Sequence, residues 1–378
     1  MKILSSHPVQ YHAPLFRLLT ARGNDVEVGY LHDGAARSAV LDVDFGIEFA
    51  WDVDLLGGYR HRVFSDSRTT AAAAMARWAI DRHTPLLLMG WSTPAVWAIW
   101  LYRALRRAPT VVLSETTPGS FGYTVKPRWR TGLLRWLLQH SGAVGVIGAR
   151  NRAFVRSMGV SEERCLAVPY SVDNATLAAG AASLQSARGE LRRAYGLDPE
   201  LPTFLFCGKL IEKKRPLQLL DAFLAGGLAG RAQLLYVGEG ALRGAIEARA
   251  AGAGSVRVVG FLNQTQMPRA YAMGDVLCLP SDARETWGLV INEALACGRP
   301  VIVSDAVGCS DDLVGADNGW VVPLDDPGAL VRALQAALAD RDRWVGMGQS
   351  GRRRVAAHTY AAMAIGIEAA SDVARNTA

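Results

Sequence analysis

Short apolar runs alternate along the chain with stretches in which apolar residues recur every three or four positions. The short runs are typical of buried strands, and the wider spacing is typical of amphipathic helices. The predicted strands of the first half cover residues 2–6, 25–31, 85–90, 110–113 and 143–147, with 51–56 as a further strand or its approach. Those of the second half cover residues 204–207, 233–237, 256–259, 276–280 and 300–304. Because helical stretches separate the strands, we expect α/β folding with mostly parallel sheets.

The chain is predicted to divide near Ser171. At 378 residues it is too long for one ordinary hydrophobic core and long enough for two. Residues 174–197 are rich in Ala, Ser and Arg, helical in propensity and weakly apolar, and a new strand follows them. We therefore predict a Rossmann-like domain at 1–171, a second one at 172–358 and a terminal helix at 359–378.

The composition is that of a soluble globular protein, with 50% hydrophobic and 20% charged residues. A net charge of +6 suits a phosphate-bearing ligand or an anionic membrane surface without naming either, and no run of five like charges suggests a nucleic-acid-binding tail. The five cysteines are odd in number and form no C-x-x-C pair, which favours a reducing compartment. The chain start has no apolar leader, so we expect a cytoplasmic protein.

Residues 126–140, KPRWRTGLLRWLLQH, form a predicted amphipathic helix. Its apolar face carries Trp129, Leu133, Trp136, Leu137 and His140, with the arginines away from the centre of that face. Basic amphipathic helices can dock on anionic lipid. The alternative, which we favour, is that the apolar face packs on the sheet while the arginines stay in water. Peripheral contact with the inner membrane face is left open.

Most of the recognisable chemistry lies in residues 281–308, SDARETWGLVINEALACGRPVIVSDAVG. Glu285 and Glu293 are separated by seven residues, and the sequence between them passes from a turn into an apolar-periodic helix. A helix that begins near Trp287 leaves the backbone amides of Trp287, Gly288 and Leu289 without intrahelical acceptors, at the positive end of the helix dipole. Such a terminus binds phosphate, and carboxylates accept hydrogen bonds from hydroxyls. The stretch therefore suits a ligand with a sugar, a diphosphate and a ribose.

The same stretch resembles the E-x7-E motif of the retaining nucleotide-sugar glycosyltransferases of family 4, in the spelling ExxGLxxxEAxAxGxPVI. The resemblance implies GT-B architecture: two facing Rossmann-like domains with an interdomain cleft, and a C-terminal helix that crosses back to the first domain. The first domain would bind the acceptor and the second the nucleotide sugar. The implied reaction moves a sugar from a UDP- or GDP-sugar to a hydroxyl of a glycan, glycolipid or small-molecule natural product, with retention and without a cofactor.

The resemblance also assigns roles within this stretch. Glu285 would hold the transferred sugar and contribute to catalysis, and Glu293 would hold the ribose. The remaining donor contacts would come from Thr286, Trp287, Gly288 and Leu289.

A second donor-binding segment is predicted at residues 208–214, GKLIEKK, between a strand and a helix. Lys209 and Lys214 are five residues apart on this loop, so both could reach one diphosphate and stabilise the charge that develops on it during transfer. The segment resembles the family's G-R-L-x-x-x-K, with Lys209 in the place of Arg. A lysine offers a point charge where arginine offers a fork, so phosphate binding should survive with looser geometry.

Two other glycine-containing turns follow predicted strands. Gly238 and Gly240 form an incomplete G-x-G-x-x-G, because the sixth position is Arg243. We interpret these glycines as backbone turns, with the rim of the diphosphate site as the alternative. In relatives the segment that corresponds to Gly260, Phe261 and Leu262 lies against the nucleobase, which the resemblance implies for these three residues.

The first half departs from the family pattern. Its opening loop, SSHPVQYHAP, lacks a glycine pair that many relatives have, and offers His7 and His12 instead. The histidine that relatives often place after the fifth strand is absent. Glu115 in the segment SETT stands there, and we predict that it contributes to catalysis. The alternative is a carboxylate that only caps the following helix.

Two Asp-x-Asp pairs, at 42–44 and 52–54, match the metal-binding spelling of glycosyltransferases of another fold. We interpret them as solvated strand or loop residues and predict no metal site. Rival functions within the fold are a phosphorylase or an epimerase. A phosphorylase would need a lysine for pyridoxal phosphate and a longer chain, and an epimerase is not expected to carry the 285–301 spelling. A rival of another class is a sugar-nucleotide-binding or scaffold protein that has lost turnover. The sequence does not identify the sugar, base, acceptor or oligomeric state.

Overall fold

The computed structural model describes residues 1–64, 68–91, 93–122 and 127–377, with the backbone alone at residues 35 and 68–72. Lys126, the predicted start of the basic helix, lies outside the described residues. Within these ranges no helix combines the length and the apolar character needed to cross a membrane.

Strands and helices follow one another closely along the described chain. The strands are β1 (Lys2–Ser5), β2 (Glu27–Tyr30), β3 (Val40–Asp42), β4 (Ile47–Phe49), β5 (Arg60–Val63), β6 (Leu86–Met89), β7 (Thr110–Ser114), β8 (Ala143–Val146), β9 (Cys165–Ala167), β10 (Thr203–Cys207), β11 (Gln233–Val237), β12 (Val256–Val258), β13 (Val276–Leu279), β14 (Val301–Ser304) and β15 (Gly319–Val322). The helices are α1 (Ala13–Ala21), α2 (Arg68–Ala79), α3 (Pro94–Leu105), α4 (Pro118–Gly122), α5 (Arg128–Gln139), α6 (Ala149–Ser157), α7 (Asn174–Ser183), α8 (Arg188–Ala194), α9 (Pro216–Ala225), α10 (Arg243–Arg249), α11 (Met267–Met273), α12 (Leu289–Ala296), α13 (Ser310–Leu313), α14 (Pro327–Ala339), α15 (Trp344–Val355) and α16 (Tyr360–Asn376).

Several helices begin where the sequence supplies a capping oxygen. The side chains of Thr93, Asp173, Asp326 and Thr359 each accept a hydrogen bond from the backbone amide three residues on, at the starts of α3, α7, α14 and α16. Helices α3, α9 and α14 also begin with proline, whose fixed φ suits the first turn.

The chain forms two compact units. The first domain comprises residues 1–40, 53–171 and 358–378. Its parallel sheet has the strand order β5-β2-β1-β6-β7-β8-β9. Helix α16 belongs to this domain and packs against α1, β8 and β9. A Cβ on Gly366 of α16 would lie 2.1 Å from the Ala167 carbonyl oxygen, so the close approach to β9 requires glycine there.

The second domain comprises residues 41–52 and 172–357. Its parallel sheet has the strand order β12-β11-β10-β13-β14-β15, and residues 41–52 contribute the small β3–β4 pair. The central strands β10, β11, β13 and β14 are buried along their whole length, as apolar runs between two helical layers predict. Both domains are therefore Rossmann-like α/β units, which confirms the predicted fold class.

The strands that the sequence pattern missed lie at sheet edges. They are β3, β4, β5, β9 and β15, and because β9 follows β8, residues 143–147 are not the last strand of the first half. Burial alternates along β5 and is partial along β9 and β15, so none of them forms a continuous apolar run. Residues 51–56 are a loop instead of a strand, because the Asp54 carboxylate accepts the backbone amides of Leu56 and Gly57 and caps a turn.

Helix α5 corresponds to the predicted basic helix. It buries Leu134, Leu137 and Leu138, while Trp136 packs partly against the same core. The predicted apolar face was only partly right, because Trp129 is 67% exposed. The leucines thus pack on the first domain, as the favoured interpretation required.

Candidate functional site

Four loops of the second domain meet at the carboxyl edge of its sheet, after β10, β11, β12 and β13. The Gly208 amide donates to the Val237 carbonyl at 2.9 Å, and the Gly238 amide donates to the Gly260 carbonyl at 2.7 Å. The Asp282 amide donates to the Lys213 carbonyl at 2.8 Å. These backbone hydrogen bonds fix the loops to one another at the edge where ligands of parallel α/β sheets bind.

Glycine is required where two of these loops touch. Gly238 has a φ of +146°, and a Cβ there would lie 1.9 Å from the Gly208 carbonyl oxygen. A Cβ on Gly240 would lie 2.6 Å from the Leu210 carbonyl oxygen. Both glycines therefore serve as backbone turns, the interpretation favoured from the sequence.

The structure brings together Lys214 and Glu285, which the sequence placed in separate motifs. Their ammonium and carboxylate form an ion pair, with only 13% and 11% of the two side chains exposed. Burial raises the pKa of Glu285, but the charge of Lys214, its hydrogen bond and the weaker influence of Lys213 outweigh burial and hold that pKa below its usual value. Glu285 is therefore a fixed negative charge next to a nearly buried cation.

The loop after Glu285 leads into α12, which begins two residues later than expected. Gly288 caps it in the left-handed region with a φ of +99°, and a Cβ there would lie 3.0 Å from Leu279. In the part of the chain that the structure describes, the amides of Leu289 and Val290 donate to no other backbone group. These amides form the positive end of α12 beside Glu285. The neighbouring Trp287 indole is buried and donates to the Asn292 side chain at 2.8 Å.

Glu293 lies deeper than its predicted contact with a ribose suggests. Its carboxylate is 1% exposed, and Oε2 accepts the Tyr271 hydroxyl at 2.5 Å. The role of Glu293 toward a ribose stays a prediction.

Lys209 is held by residues 41–52, which we call the strap. Its ammonium lies 2.9 Å from Asp42 Oδ1 and 3.1 Å from Asp44 Oδ2, and 4.9 Å from the centre of the Phe45 ring. The first Asp-x-Asp pair is therefore an ion-pair partner of the predicted phosphate-binding lysine. Asp44 is exposed in a turn, as the interpretation of a solvated residue expects, whereas that interpretation did not foresee the partly buried ion pair of Asp42. The second pair differs, since Asp52 binds Thr265 and Asp54 caps a turn.

Phe261 is the centre of an aromatic cluster with the strap. Its ring centre lies 4.7 Å from that of Phe49, 5.2 Å from that of Phe45 and 6.4 Å from that of Trp51. Neighbouring Gly260 has a φ of +78°, and Leu262 is 9% exposed. The predicted nucleobase segment is thus covered by aromatic rings on one side.

In the first domain, Glu115 directly follows the carboxyl end of β7. The Tyr170 hydroxyl donates to its carboxylate, and burial raises the pKa of Glu115 more than this hydrogen bond lowers it. At the start of α4, the Ser120 hydroxyl accepts the Thr117 amide and the Thr117 hydroxyl accepts the Ser120 amide. These two side chains cap the helix without Glu115. Its predicted contribution to turnover stays a prediction.

His12 is a buried core histidine at the start of α1. Burial, and to a lesser degree the charge of His7, lowers the pKa of His12 to about 4. Neither of its ring nitrogens has a hydrogen-bond partner within the described residues, and its ring lies 6.3 Å from that of Tyr170.

Sequence reasoning missed the partners of several predicted site residues. These partners are Tyr170 at Glu115, Tyr271 at Glu293 and the strap at Lys209. A signal was present for the strap, because two aspartates are followed within nine residues by Phe45, Phe49 and Trp51. Tyrosines are too common in cores for the other two to be found this way.

No group of three or more His, Cys, Asp or Glu side chains that could hold a metal ion occurs among the described residues. All five cysteines are buried, and none of them forms a disulfide bond in the described part of the chain.

Comparison with known proteins gives a consistent picture. Residues 201–340 match the family described as "Glycosyl transferases group 1". The chain is 28% identical over 357 residues to a D-inositol 3-phosphate glycosyltransferase of Xylanimonas cellulosilytica, covering 88% of this chain and 83% of the relative. It is 34% identical over 160 residues to a phosphatidyl-myo-inositol mannosyltransferase of Mycobacterium leprae, covering 40% of this chain and 42% of the relative.

The fold is also similar to solved structures. HepE of Anabaena, in complex with UDP and glucose, aligns with a TM-score of 0.73 at 16% identity, covering 97% of this chain and 98% of that one. At this identity the likeness concerns the fold alone.

Proposed function

We propose that this chain, a glycosyltransferase whose residues 201–340 match the family of group 1 glycosyl transferases, transfers a sugar from a nucleoside diphosphate sugar to a hydroxyl acceptor, with retention, as in family 4. The donor binds at the carboxyl edge of the second sheet. The reaction needs neither a metal ion nor a cofactor.

One observation carries the proposal: Lys214, Glu285 and the first amides of α12 meet at one edge. A diphosphate binds at the end of α12, where unpaired amides and the helix dipole favour negative charge. Lys214 stabilises the charge that develops on the diphosphate as the glycosidic bond breaks. Glu285 accepts hydrogen bonds from the hydroxyls of the transferred sugar and holds it in place.

Retention requires no protein nucleophile in this account. The departing diphosphate accepts the proton of the acceptor hydroxyl on the same face of the sugar, so the enzyme positions the partners and stabilises charge. The nucleobase lies at Gly260, Phe261 and Leu262, and Glu115 contributes to turnover from the first domain. Positive charge from Lys209, Lys214 and α12 takes the place of a metal ion.

The activities named for similar proteins guide the choice of substrates. HepE is in complex with UDP and glucose, and other relatives are glycosyltransferases of D-inositol 3-phosphate or of phosphatidylinositol. We therefore propose a UDP- or GDP-sugar as donor and an inositol-bearing hydroxyl compound as the first acceptor to test.

The test is a thermal-shift panel of UDP, GDP and ADP in excess EDTA, followed by product detection. UDP-glucose and GDP-mannose are offered with D-inositol 3-phosphate or with phosphatidylinositol vesicles. We expect one nucleotide to raise the unfolding midpoint without metal. Binding that disappears in EDTA and returns with Mn²⁺ would contradict the metal-free account.

A second candidate is a protein that binds nucleotide sugars without turnover. One observation favours it: Lys209 and Lys214 are each already paired with carboxylates. Nucleotide binding without transfer to any acceptor, and without slow hydrolysis of the donor, would support this alternative.

A further inference from the structure

The strap is attached to the donor-site loops at three places. Asp42 and Asp44 form ion pairs with Lys209, and the rings of the strap pack against one side of Phe261. At the third place, the Asn263 side chain donates to the Ala50 carbonyl at 2.7 Å. Residues 41–52 interrupt the first domain in sequence yet belong to the second.

The acidic end of the strap offers Lys209 the same chemistry as a diphosphate. Both Asp42 oxygens lie within 3.0 Å of the Lys209 ammonium, and Asp44 adds a third carboxylate oxygen at 3.1 Å. Burial raises the pKa of Asp42, but Lys209 and the amides of Phe45 and Asp44 more than offset this and lower it. Two anionic groups on one cation reproduce the charge of a phosphate pair.

The aromatic end offers Phe261 the same chemistry as a nucleobase. Phe49 is tilted by 38° to Phe261 at 4.7 Å, and Phe45 meets Phe261 edge-on at 5.2 Å. Phe45 also lies 4.9 Å from Lys209, so one residue joins the two ends of the contact. Flat rings beside Phe261 occupy space where a base could stack.

We propose that the strap is an internal occupant of the donor site, which imitates a nucleotide with carboxylates at Lys209 and rings at Phe261. This inference rests on the proposed function. The strap competes with the donor, and the donor can bind only in those molecules from which the strap has been released. The apparent dissociation constant rises by the inverse of the fraction of such molecules.

The ion pair is suited to exchange. The side chains of Lys209 and Asp42 are 27% and 29% exposed, and that of Asp44 is 60% exposed. Ion pairs that remain in contact with solvent are weaker than fully buried ones and are screened by salt. A donor diphosphate can therefore replace the carboxylates on Lys209.

The test compares nucleotide binding in matched variants by calorimetry, with UDP, GDP and ADP as probes. The double substitution Asp42→Asn and Asp44→Asn keeps the size of both side chains and removes the two carboxylate charges that pair with Lys209. Glu48→Gln removes one charge from the same strap at an exposed position with no ion pair among the described residues, and serves as control. We expect the double variant to bind the preferred nucleotide about tenfold more tightly at low salt, and the control to match the wild type.

Equal or weaker binding by the double variant, with normal binding by the wild type, would overturn the strap proposal and leave the proposed function standing. No binding of any nucleotide by either protein would contradict the proposed function itself. Binding only by the double variant would support both.

Amide hydrogen exchange provides an independent measurement. We expect the preferred nucleotide to accelerate exchange in residues 41–52 of the wild-type protein, because the strap leaves the site. Slower exchange would mean that the strap closes over the nucleotide, and would overturn competition.

Discussion

Glu115 and Glu285 follow the carboxyl ends of strands in two similar sheets, yet their pKa values shift in opposite directions. Burial raises the pKa of both. At Glu115 the only opposing influence is a hydroxyl from Tyr170, and the pKa stays raised. At Glu285 the charge and hydrogen bond of Lys214 and the weaker influence of Lys213 together outweigh burial, and the pKa is lowered. The partner, and not the position in the fold, decides the direction in which the pKa of such a carboxyl shifts.

The difference suits two roles. A carboxylate fixed in its charged form can hold sugar hydroxyls and balance a cation throughout a reaction. A carboxyl that retains a proton more readily can orient a hydroxyl as hydrogen-bond donor or acceptor. The following substitutions test whether the two glutamates differ in this way.

The largest effect is expected for Lys214→Met. This substitution leaves the buried Glu285 carboxylate without the Lys214 ammonium and removes a cation from the proposed diphosphate site. We expect turnover to fall on the order of a thousandfold, about 4 kcal/mol of barrier, and stability to fall by about 3 kcal/mol. Steady-state kinetics and urea unfolding measure the two losses.

Lys213→Met is the matched control, because it removes the neighbouring charge without breaking the ion pair. Losses as large as those of Lys214→Met would mean that the overall charge of the loop matters and the buried pair does not.

Glu285→Gln should have the next largest effect. We expect turnover to fall about a hundredfold, or about 2.7 kcal/mol. Because the pKa of Glu285 is lowered on folding, its ionised form stabilises the wild type above the unfolded value of 4.5, and this advantage is lost as the pH falls through the folded pKa. Unfolding free energies of both proteins against pH measure it. If the difference in unfolding free energy between the two proteins stayed constant across the acid range, the ion pair would not be the source of the stability of the wild type.

Glu115→Gln should lower turnover at least about tenfold, or about 1.4 kcal/mol, with nucleotide binding nearly unchanged. Its effect on stability should have the opposite sign. Because the pKa of Glu115 is raised on folding, the wild type loses stability as the pH rises from 4.5 through the folded pKa. The variant should therefore be the more stable protein at neutral pH. Full activity, or lower stability at neutral pH, would remove the contrast between the two glutamates.

The smallest effect is expected for Tyr170→Phe. Its hydroxyl lowers the pKa of Glu115, so removing it should raise that pKa further and extend the loss of stability to higher pH. The unfolding free energy is measured against pH for Tyr170→Phe alone and combined with Glu115→Gln. The difference between the two profiles isolates the shift in the pKa of Glu115. Tyr30→Phe removes a buried hydroxyl bonded to Tyr59 in the same domain and should leave the profile unchanged. An identical change in both variants would mean that Tyr170 acts only through packing.

Much of the second domain was predictable because its signals are local. Central strands such as β10 and β11 are buried on both faces and therefore appear as apolar runs. The spacing from Glu285 to Glu293 and the loop from Gly208 to Lys214 were also visible, and the structure places Lys214 beside Glu285. The start of α12 was displaced by two residues, since Gly288 adopts a left-handed φ that no spacing rule reveals.

Residue types and local order determined where the donor chemistry lies, because strand, loop and helix starts are fixed by neighbours a few positions apart. Tertiary structure alone decided what each charged group faces. Lys209 and Asp42 are 167 positions apart, and Glu115 gains its only opposing influence from Tyr170 on a distant segment. Such pairings depend on how sheets and loops pack. The two lysines and the glutamates were therefore visible in the sequence, and packing decided which groups form ion pairs and in which direction the pKa of each carboxyl shifts.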